Sequence, residues 1–138
     1  MIPKFRVWLP DIDQMLRVKA LVFEKDKTRC VCGYSFDFYL EDENATIMQS
    51  TGLKDKNGQE IFEGDIIKRD GIKRPEVIRF GEWIDVDSLG YKEQYIGFYF
   101  ESEHEGQEWL HSVEPQFNHL YKVIGNIYEK PELLEEEK

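Results

Sequence analysis

The side chains best suited to chemistry are two cysteines and three histidines. Cys30 and Cys32 form a Cys-Val-Cys segment, and on a strand residues i and i+2 point to the same face. Their Cβ atoms then lie too far apart for an unstrained disulfide, and a zinc site needs two more ligands. The three histidines do not supply these ligands, because none of them is spaced from another as zinc ligands are: His104, His111 and His119. We therefore expect structural or surface thiols, kept reduced in a cytosolic protein, rather than a zinc site.

No arrangement of residues in the sequence is typical of an enzyme. Ser112 follows His111, but neighbours on a strand point to opposite faces and make a poor nucleophile–base pair. The phosphate-binding loop, the Gly-x-Ser-x-Gly elbow and the His-Glu-x-x-His motif are absent. Carboxylate pairs such as Asp85 and Asp87 could bind a divalent cation, but a chain with 28 acidic residues forms such pairs by chance. We predict no enzyme activity, no catalytic residues, no cofactor and no metal ligands.

The charge of the chain disfavours nucleic acid as a partner. Among 138 residues, 28 acidic and 18 basic side chains give a net charge of −10, which phosphate backbones repel. The exception is the basic segment from Lys68 to Arg74, with Arg79 nearby. It is either a solvated hairpin loop that bends at Gly71 or a local anion-binding patch. No apolar stretch of about 18 residues could span a membrane, and no signal peptide is evident, so we expect a cytoplasmic protein.

The stretch from Met48 to Ile67 has the clearest structural pattern, a strand followed by a turn, a corner and a second strand. Asn57-Gly58 predicts a tight turn, because both residues tolerate a positive φ. Gly64-Asp65 predicts a corner in which the aspartate caps nearby backbone N–H groups. The apolar residues of the stretch are predicted to be core: Leu53, Ile61, Ile66 and Ile67.

Three polar residues of this stretch are predicted to be exposed and are candidate interaction residues: Lys54, Asp55 and Lys56. A corner of a β-barrel requires the same pattern of residues, so the stretch can also be explained without any binding role. Both interpretations are open from the sequence.

Short strands separated by turn signals make up the rest of the chain. Apolar and polar residues alternate over 15–23, for which a helix is the rival interpretation. Residues 81–92 are predicted to be a polar loop, 121–128 a strand with a kink at Gly125, and Pro131 the start of a helical turn. Strands are also predicted at 5–8, 30–40, 47–53, 66–67, 76–80 and 95–100. Turn signals at intervals of about 10–15 residues favour a small barrel or sandwich.

Three segments, in order along the chain, resemble the YopX protein family of bacteriophages and prophages, found mainly in Gram-positive hosts. They are Phe5-Arg6-Val7-Trp8 with Met15, the long and specific central stretch 48–67, and the closing stretch 123–134. Residues 71–118 have little that aligns. The resemblance implies a mainly β fold with an SH3-like small β-barrel, and a family without an established function. It carries over no catalytic residues.

We predict a β-rich N-terminal part over residues 1–45, an SH3-like barrel over 46–130 and an acidic tail over 131–138. The tail contains a run of glutamates from Glu135, which usually frays and solvates.

The predicted function is a non-enzymatic phage or prophage accessory module that binds a protein partner in the cytoplasm of the bacterial host. A homo-oligomer is one form of this function. Four aromatic residues in or beside loops are candidate anchors if they are exposed, although burial is the alternative for each: Trp83, Tyr91, Tyr95 and Trp109. The alternative function is associated with nucleic acid, through the basic segment or through acidic mimicry of DNA.

Overall fold

The structure is a computed structural model that describes residues 3–33 and 36–135. The structure is mostly β, with 58% of the described residues in strands and 8% in helices, which confirms the predicted mainly β fold. It divides into two compact units, Met1–Ser50 and Thr51–Lys138. The SH3-like barrel and the domain boundaries stay predictions. The predictions made for residues 136–138 and for the side chain of His104 lie outside the described part of the chain.

The first unit contains two antiparallel sheets. The strand β1 pairs with β2 and with the first half of β6, which places Val7 between Leu16 and Ile47. A separate sheet has the order β3-β4-β5. The strands that begin in this unit are β1 (Phe5–Leu9), β2 (Gln14–Arg17), β3 (Ala20–Phe23), β4 (Thr28–Gly33), β5 (Phe36–Tyr39) and β6 (Thr46–Lys54).

The single strand predicted over residues 15–23 is two strands that belong to different sheets. Val18 donates its N–H to the Phe5 carbonyl at 3.1 Å, and Lys19 donates its N–H to the Val31 carbonyl at 2.7 Å. The hydrogen bonding therefore changes partner between adjacent residues. Continuous alternation of side chains does not reveal such a change, because both strands keep the same period of two.

The second unit contains a five-stranded antiparallel sheet with the order β11-β10-β9-β8-β12. The second half of β6 lies beside β7. Two short 3-10 helices cover Pro115–Leu120 and Pro131–Leu134, so Pro131 begins a helical turn as predicted. No described helix is long and apolar enough to cross a membrane. The remaining strands are β7 (Glu60–Phe62), β8 (Asp65–Arg69), β9 (Glu76–Val86), β10 (Lys92–His104), β11 (Gln107–Ser112) and β12 (Tyr121–Asn126).

The core of the second unit is an aliphatic and aromatic cluster. The Phe100 ring meets the Tyr121 ring edge-on, with 5.1 Å between centroids, and the Arg69 guanidinium lies over Phe100 at 4.6 Å. The predicted burial of the isoleucines is confirmed. The fully buried residues of the cluster are Ile61, Ile67, Ile78 and Phe100, and Ile66 is also fully buried.

The predicted turns of the central stretch are confirmed. Gly58 has a φ of 82° and Gly64 a φ of 87°, a backbone conformation that a residue with a Cβ rarely adopts. The predicted kink at Gly125 is also present, because the pairing of β12 with β8 shifts register between Val123 and Gly125. A Cβ on Gly125 would lie 2.8 Å from a methyl carbon of Leu133.

The polar loop predicted over residues 81–92 is wrong. Residues 76–86 form β9 and residues 92–104 form β10, so that the turn between them is short. Asp87 closes it, because its Oδ1 accepts the N–H groups of Leu89 and Tyr91 at 2.9 Å each. Gly90 has a φ of 87° in this turn. The residues before it alternate polar and apolar, which is the period of a strand, and the acidic side chains masked that signal.

Candidate functional site

The hairpin of β9 and β10 extends beyond the five-stranded sheet as a two-stranded arm. Cross-strand pairs run without a break from Val77↔Glu101 to Val86↔Lys92. In contrast, β8 pairs with β9 only at its first two residues, and β11 pairs with β10 only from Tyr99 onward. We call residues 81–97 the distal arm. Within the described residues its strands have no third strand on either edge, so its backbone edges are open to a partner.

One face of the arm carries most of its exposed apolar side chains. Alternation along paired strands places Ile78 and Phe100, both fully buried, on the same face as residues further out. The next cross-strand pair on this face is Phe80 and Phe98, whose ring centroids lie 4.8 Å apart. Ile96 is 74% exposed. We call this surface the apolar arm face; its exposed apolar residues are Phe80, Ile84, Val86 and Ile96.

The opposite face of the arm is aromatic near the sheet and acidic near the tip. Trp83 stacks on Tyr95 with 4.9 Å between ring centroids and lies 5.7 Å from the Tyr99 ring. Asp85 and Glu93 are direct cross-strand partners, a like-charge pair that destabilises a hairpin. The Tyr95 hydroxyl donates a hydrogen bond to Glu93, and this bond raises the pKa of Tyr95.

The structure separates the four aromatic residues predicted as anchors. Trp83 is only 6% exposed, so it cannot serve as an exposed anchor. Tyr91 at the tip is 70% exposed, and Tyr95 is 41% exposed. Trp109 is exposed but lies on β11, opposite Ser102. Three of the four predicted anchors therefore lie on the arm: Trp83, Tyr91 and Tyr95. Of these, Tyr91 and Tyr95 are accessible.

Trp109 borders a shallow cavity beside the basic segment. The cavity has a volume of about 440 Å³, and its lining includes Ile72, Lys73 and Arg74. Proteins that bind single-stranded nucleic acids place exposed aromatic rings next to cationic side chains in this way. Arg79, predicted as part of the same patch, has its Nε 3.4 Å from the Glu101 carboxylate.

Most cations of the basic segment already have acceptors. Arg69 forms a two-point ion pair with Glu76, at 2.5 Å from Nε and 2.9 Å from Nη2. Arg74 donates to the Glu103 carbonyl at 2.9 Å, and Lys68 donates to a carbonyl of its own loop. A cation held by a neighbouring carboxylate attracts phosphate less. The segment is a hydrogen-bonded hairpin loop, and its alternative role as an anion-binding patch stays a prediction.

The prediction that Asp55 is exposed is wrong. Asp55 is 4% exposed, and its Oδ1 accepts the N–H groups of Asn57 and Gln59 at 2.9 Å each. Its Oδ2 accepts the N–H of Val123 at 2.9 Å. The carboxylate therefore closes the turn and ties it to β12. Lys54 and Lys56 are exposed as predicted; the Lys56 ammonium lies 3.4 Å from Asp70.

Two further polar residues of the central stretch also support backbone groups. The Thr51 hydroxyl donates to the Ile61 carbonyl at 2.8 Å and accepts the Leu53 N–H at 3.1 Å. The Asp65 Oδ2 accepts the Phe62 N–H at 2.8 Å. A buried backbone N–H without an acceptor is costly, so these side chains are needed where they are. The stretch that is most specific in sequence is therefore largely a structural one.

The two cysteines are adjacent but not bonded. Their Sγ atoms lie 3.8 Å apart, and both thiols are free. Burial, assisted by the neighbouring Cys32, raises the pKa of the Cys30 thiol to about 12, so Cys30 stays protonated at neutral pH. Among the described residues, no group of three or more potential metal-ligating side chains occurs.

The exposed aliphatic residues of the arm were missed by sequence reasoning. Ile84 and Val86 fell in the predicted loop, and Ile96 was assigned to a strand without a face. The alternation Ile84-Asp85-Val86-Asp87 was the available signal for a strand. The sequence contains no signal for the exposure of this face, because alternation does not show whether a face is covered by other elements.

Comparison with known proteins agrees with the resemblance seen in the sequence. The model of the YopX protein family matches residues 4–135. A crystal structure of protein EF1440 from Enterococcus faecalis is similar, with 27% sequence identity and a TM-score of 0.48, and covers 98% of this chain and 99% of that one. No curated protein matches. Since the family match includes nearly all of the described residues, the chain belongs to the YopX protein family.

Proposed function

We propose that this protein is a non-enzymatic accessory module of a phage or prophage that binds a protein partner through the apolar arm face. The single observation that carries the proposal is the exposure of this face. Phe80, Ile84, Val86 and Ile96 lie on one side of an arm that has no third strand within the described residues. Apolar surface of this kind usually marks an interaction site.

The chemistry of the arm supports binding rather than reaction. It exposes several aliphatic and aromatic side chains, and Leu89 and Tyr91 extend the apolar surface to the tip. Burial of such side chains against a partner removes apolar surface from water, and this contributes a binding free energy of roughly 25 cal/mol per Å² of apolar area buried. The open strand edges add backbone donors and acceptors, which allow a partner to add a strand.

The arm also distinguishes this proposal from a role associated with nucleic acid. Its tip carries Asp85, Asp87 and Glu93 near the exposed aromatic Tyr91, so a phosphate backbone would be repelled there. The depression beside Trp109, which joins an exposed aromatic ring to cations, has most of its cations hydrogen-bonded to acceptors.

Site-specific photo-crosslinking in cells tests the proposal. A photoreactive phenylalanine analogue replaces Ile96 on the apolar arm face in one variant and Phe23 in the control. Phe23 is 80% exposed and lies in the other unit, so the control has similar chemistry and accessibility. We expect discrete protein adducts from position 96 and none of the same mass from position 23.

Two results would contradict the proposal. Adducts of equal pattern from both positions would show random collision rather than a specific surface. Adducts from position 96 that are lost on nuclease treatment and resist protease would identify nucleic acid as the partner.

A further inference from the structure

We propose that the partner of the apolar arm face is the same face of a second copy of this chain, with the two arms packed antiparallel. The inference rests on the proposed function, because it names the partner of that same surface. It comes from the position of the charges on the face rather than from its apolar residues.

The apolar arm face carries one carboxylate and one ammonium group. Glu82 is the cross-strand partner of Ile96, towards the sheet, and Lys92 is the partner of Val86, next to the tip. These levels are four residues apart along the strands, or about 13 Å at a rise of ~3.3 Å per residue. Ile84 lies midway between them. Both charged residues are exposed, and no ion pair joins either one to the described part of its own chain.

Two such faces complement each other in only one orientation. Sheets that pack face to face lie about 10 Å apart with their strands aligned to within about 30°. If the arms are antiparallel, a two-fold axis near Ile84 places Glu82 of each copy at the level of Lys92 of the other. Two ion pairs then lie on either side of a centre formed by Ile84 and its cross-strand partner Gln94. If the arms are parallel, Glu82 meets Glu82 and Lys92 meets Lys92, and both ends repel.

The charge of the whole chain restricts where two copies can meet. Each copy carries a net charge of −10, so most pairs of surfaces repel. The apolar arm face is neutral, because Glu82 and Lys92 offset each other. The opposite face of the arm carries Asp85 and Glu93 side by side, which would bring four carboxylates together in a dimer. Association of two copies is therefore directed to the apolar arm face, and a self-complementary two-fold contact is the commonest form of homodimer.

Charge reversal tests both the partner and the orientation. Sedimentation velocity is measured on the full chain over a series of concentrations, for the unchanged protein, Glu82→Lys, Lys92→Glu and the double variant. The unchanged protein is expected to show a concentration-dependent dimer. Each single reversal turns both ion pairs into like-charge contacts, and we expect the dissociation constant to rise about ten-fold or more. The double reversal restores both pairs, and we expect a dissociation constant within about three-fold of the original.

A mixing experiment sharpens the test. Glu82→Lys carries two cations on the face and Lys92→Glu carries two anions, so neither pairs well with itself. An equimolar mixture should form the mixed dimer with an affinity close to that of the unchanged protein. All substitutions are at exposed positions, and an unchanged denaturant midpoint for each variant, measured at a concentration where the chain is monomeric, verifies that folding is intact.

Three outcomes overturn the inference. They are a monomer at all concentrations, a dimer whose affinity is insensitive to the single reversals, and a double reversal that fails to restore association. The proposed function fails separately. If the chain is monomeric while position 96 still crosslinks to a different protein, the self-pairing is wrong and the binding role of the apolar arm face stands. If neither occurs, both are wrong.

Discussion

The hairpin of β9 and β10 contains two halves with the same pattern of side chains and opposite environments. In the half within the sheet, Ile78 and Phe100 are fully buried. In the distal arm, Ile84 and Ile96 continue the same face of the same two strands, and Ile96 is 74% exposed. The strand pairing is continuous across the two halves. The difference shows that the pattern of a strand determines which side chains share a face, whereas neighbouring elements determine whether that face is covered.

The covering elements can be named. Over Phe100 lie the Tyr121 ring from β12 and the Arg69 guanidinium from β8. The ion pair of Arg69 with Glu76 holds the guanidinium in place at 2.5 and 2.9 Å. β8 pairs with β9 only at Glu76 and Val77. The distal arm has no such strands beside it within the described residues, and its apolar side chains are left for another molecule.

The largest expected effect comes from truncation in the covered half. Phe100→Ala should lower the free energy of unfolding by about 3–5 kcal/mol, as buried Phe-to-Ala changes do. It removes the ring that Tyr121 and Arg69 contact. The measurement is the denaturant midpoint, with the m-value checked for two-state behaviour.

The matched control for this prediction is Ile96→Ala, on the same strand and the same face. An exposed aliphatic residue contributes little to folding, so we expect a change within about 0.5 kcal/mol. Similar losses for the two variants would remove the distinction between the two halves of the hairpin.

An intermediate effect is expected at the junction of the two halves. Gly81 and Gly97 are direct cross-strand partners there, with φ values of 154° and 155°. A Cβ at Gly97 meets no atom within 4 Å, so Gly97→Ala is opposed by its backbone conformation alone. We expect a loss of about 1–3 kcal/mol of folding free energy, measured by thermal or denaturant unfolding.

Gly33→Ala is the control for Gly97→Ala. Gly33 also has open space around a built Cβ, but its φ is not in the positive region. A residue with a Cβ tolerates that backbone, and the change should be neutral or stabilising by up to about 1 kcal/mol. Equal losses at the two glycines would show that the φ at the junction is not the cause.

Much of the second unit was predictable from the sequence for local physical reasons. Gly58 and Gly64 mark turns because a positive φ excludes a Cβ, and Ile61, Ile66 and Ile67 are buried between and after them. These features depend on residues close together in the chain. The kink at Gly125 was predictable in the same way, as a glycine within a strand.

The candidate site was predictable only in part, because it depends on distant contacts. Asp55 has the polarity of an exposed residue, and its burial follows from an acceptor bond to Val123, on another strand. Trp83 stacks with Tyr95 and Tyr99 across a hairpin that the sequence pattern did not indicate. The exposure of Ile96 depends on how far side chains from β8 and β12 reach over this face, which no local pattern reports.

The smallest expected effect on folding, and the one that separates the two halves most sharply, is that of Ile96→Thr. Threonine keeps the β-branched shape that strands favour and replaces the ethyl group of isoleucine with a hydroxyl. At a 74% exposed position the hydroxyl stays in water, so the denaturant midpoint should be unchanged within about 0.5 kcal/mol of folding free energy. The same change at fully buried Ile78 places a hydroxyl in the core and should cost about 1–3 kcal/mol. Sedimentation of Ile96→Thr should show weaker self-association despite its intact fold, because the contact between the two arms loses apolar area. A large loss of folding stability for this variant would mean that the apolar arm face is already covered within its own chain, and the surface would then not be available to any partner.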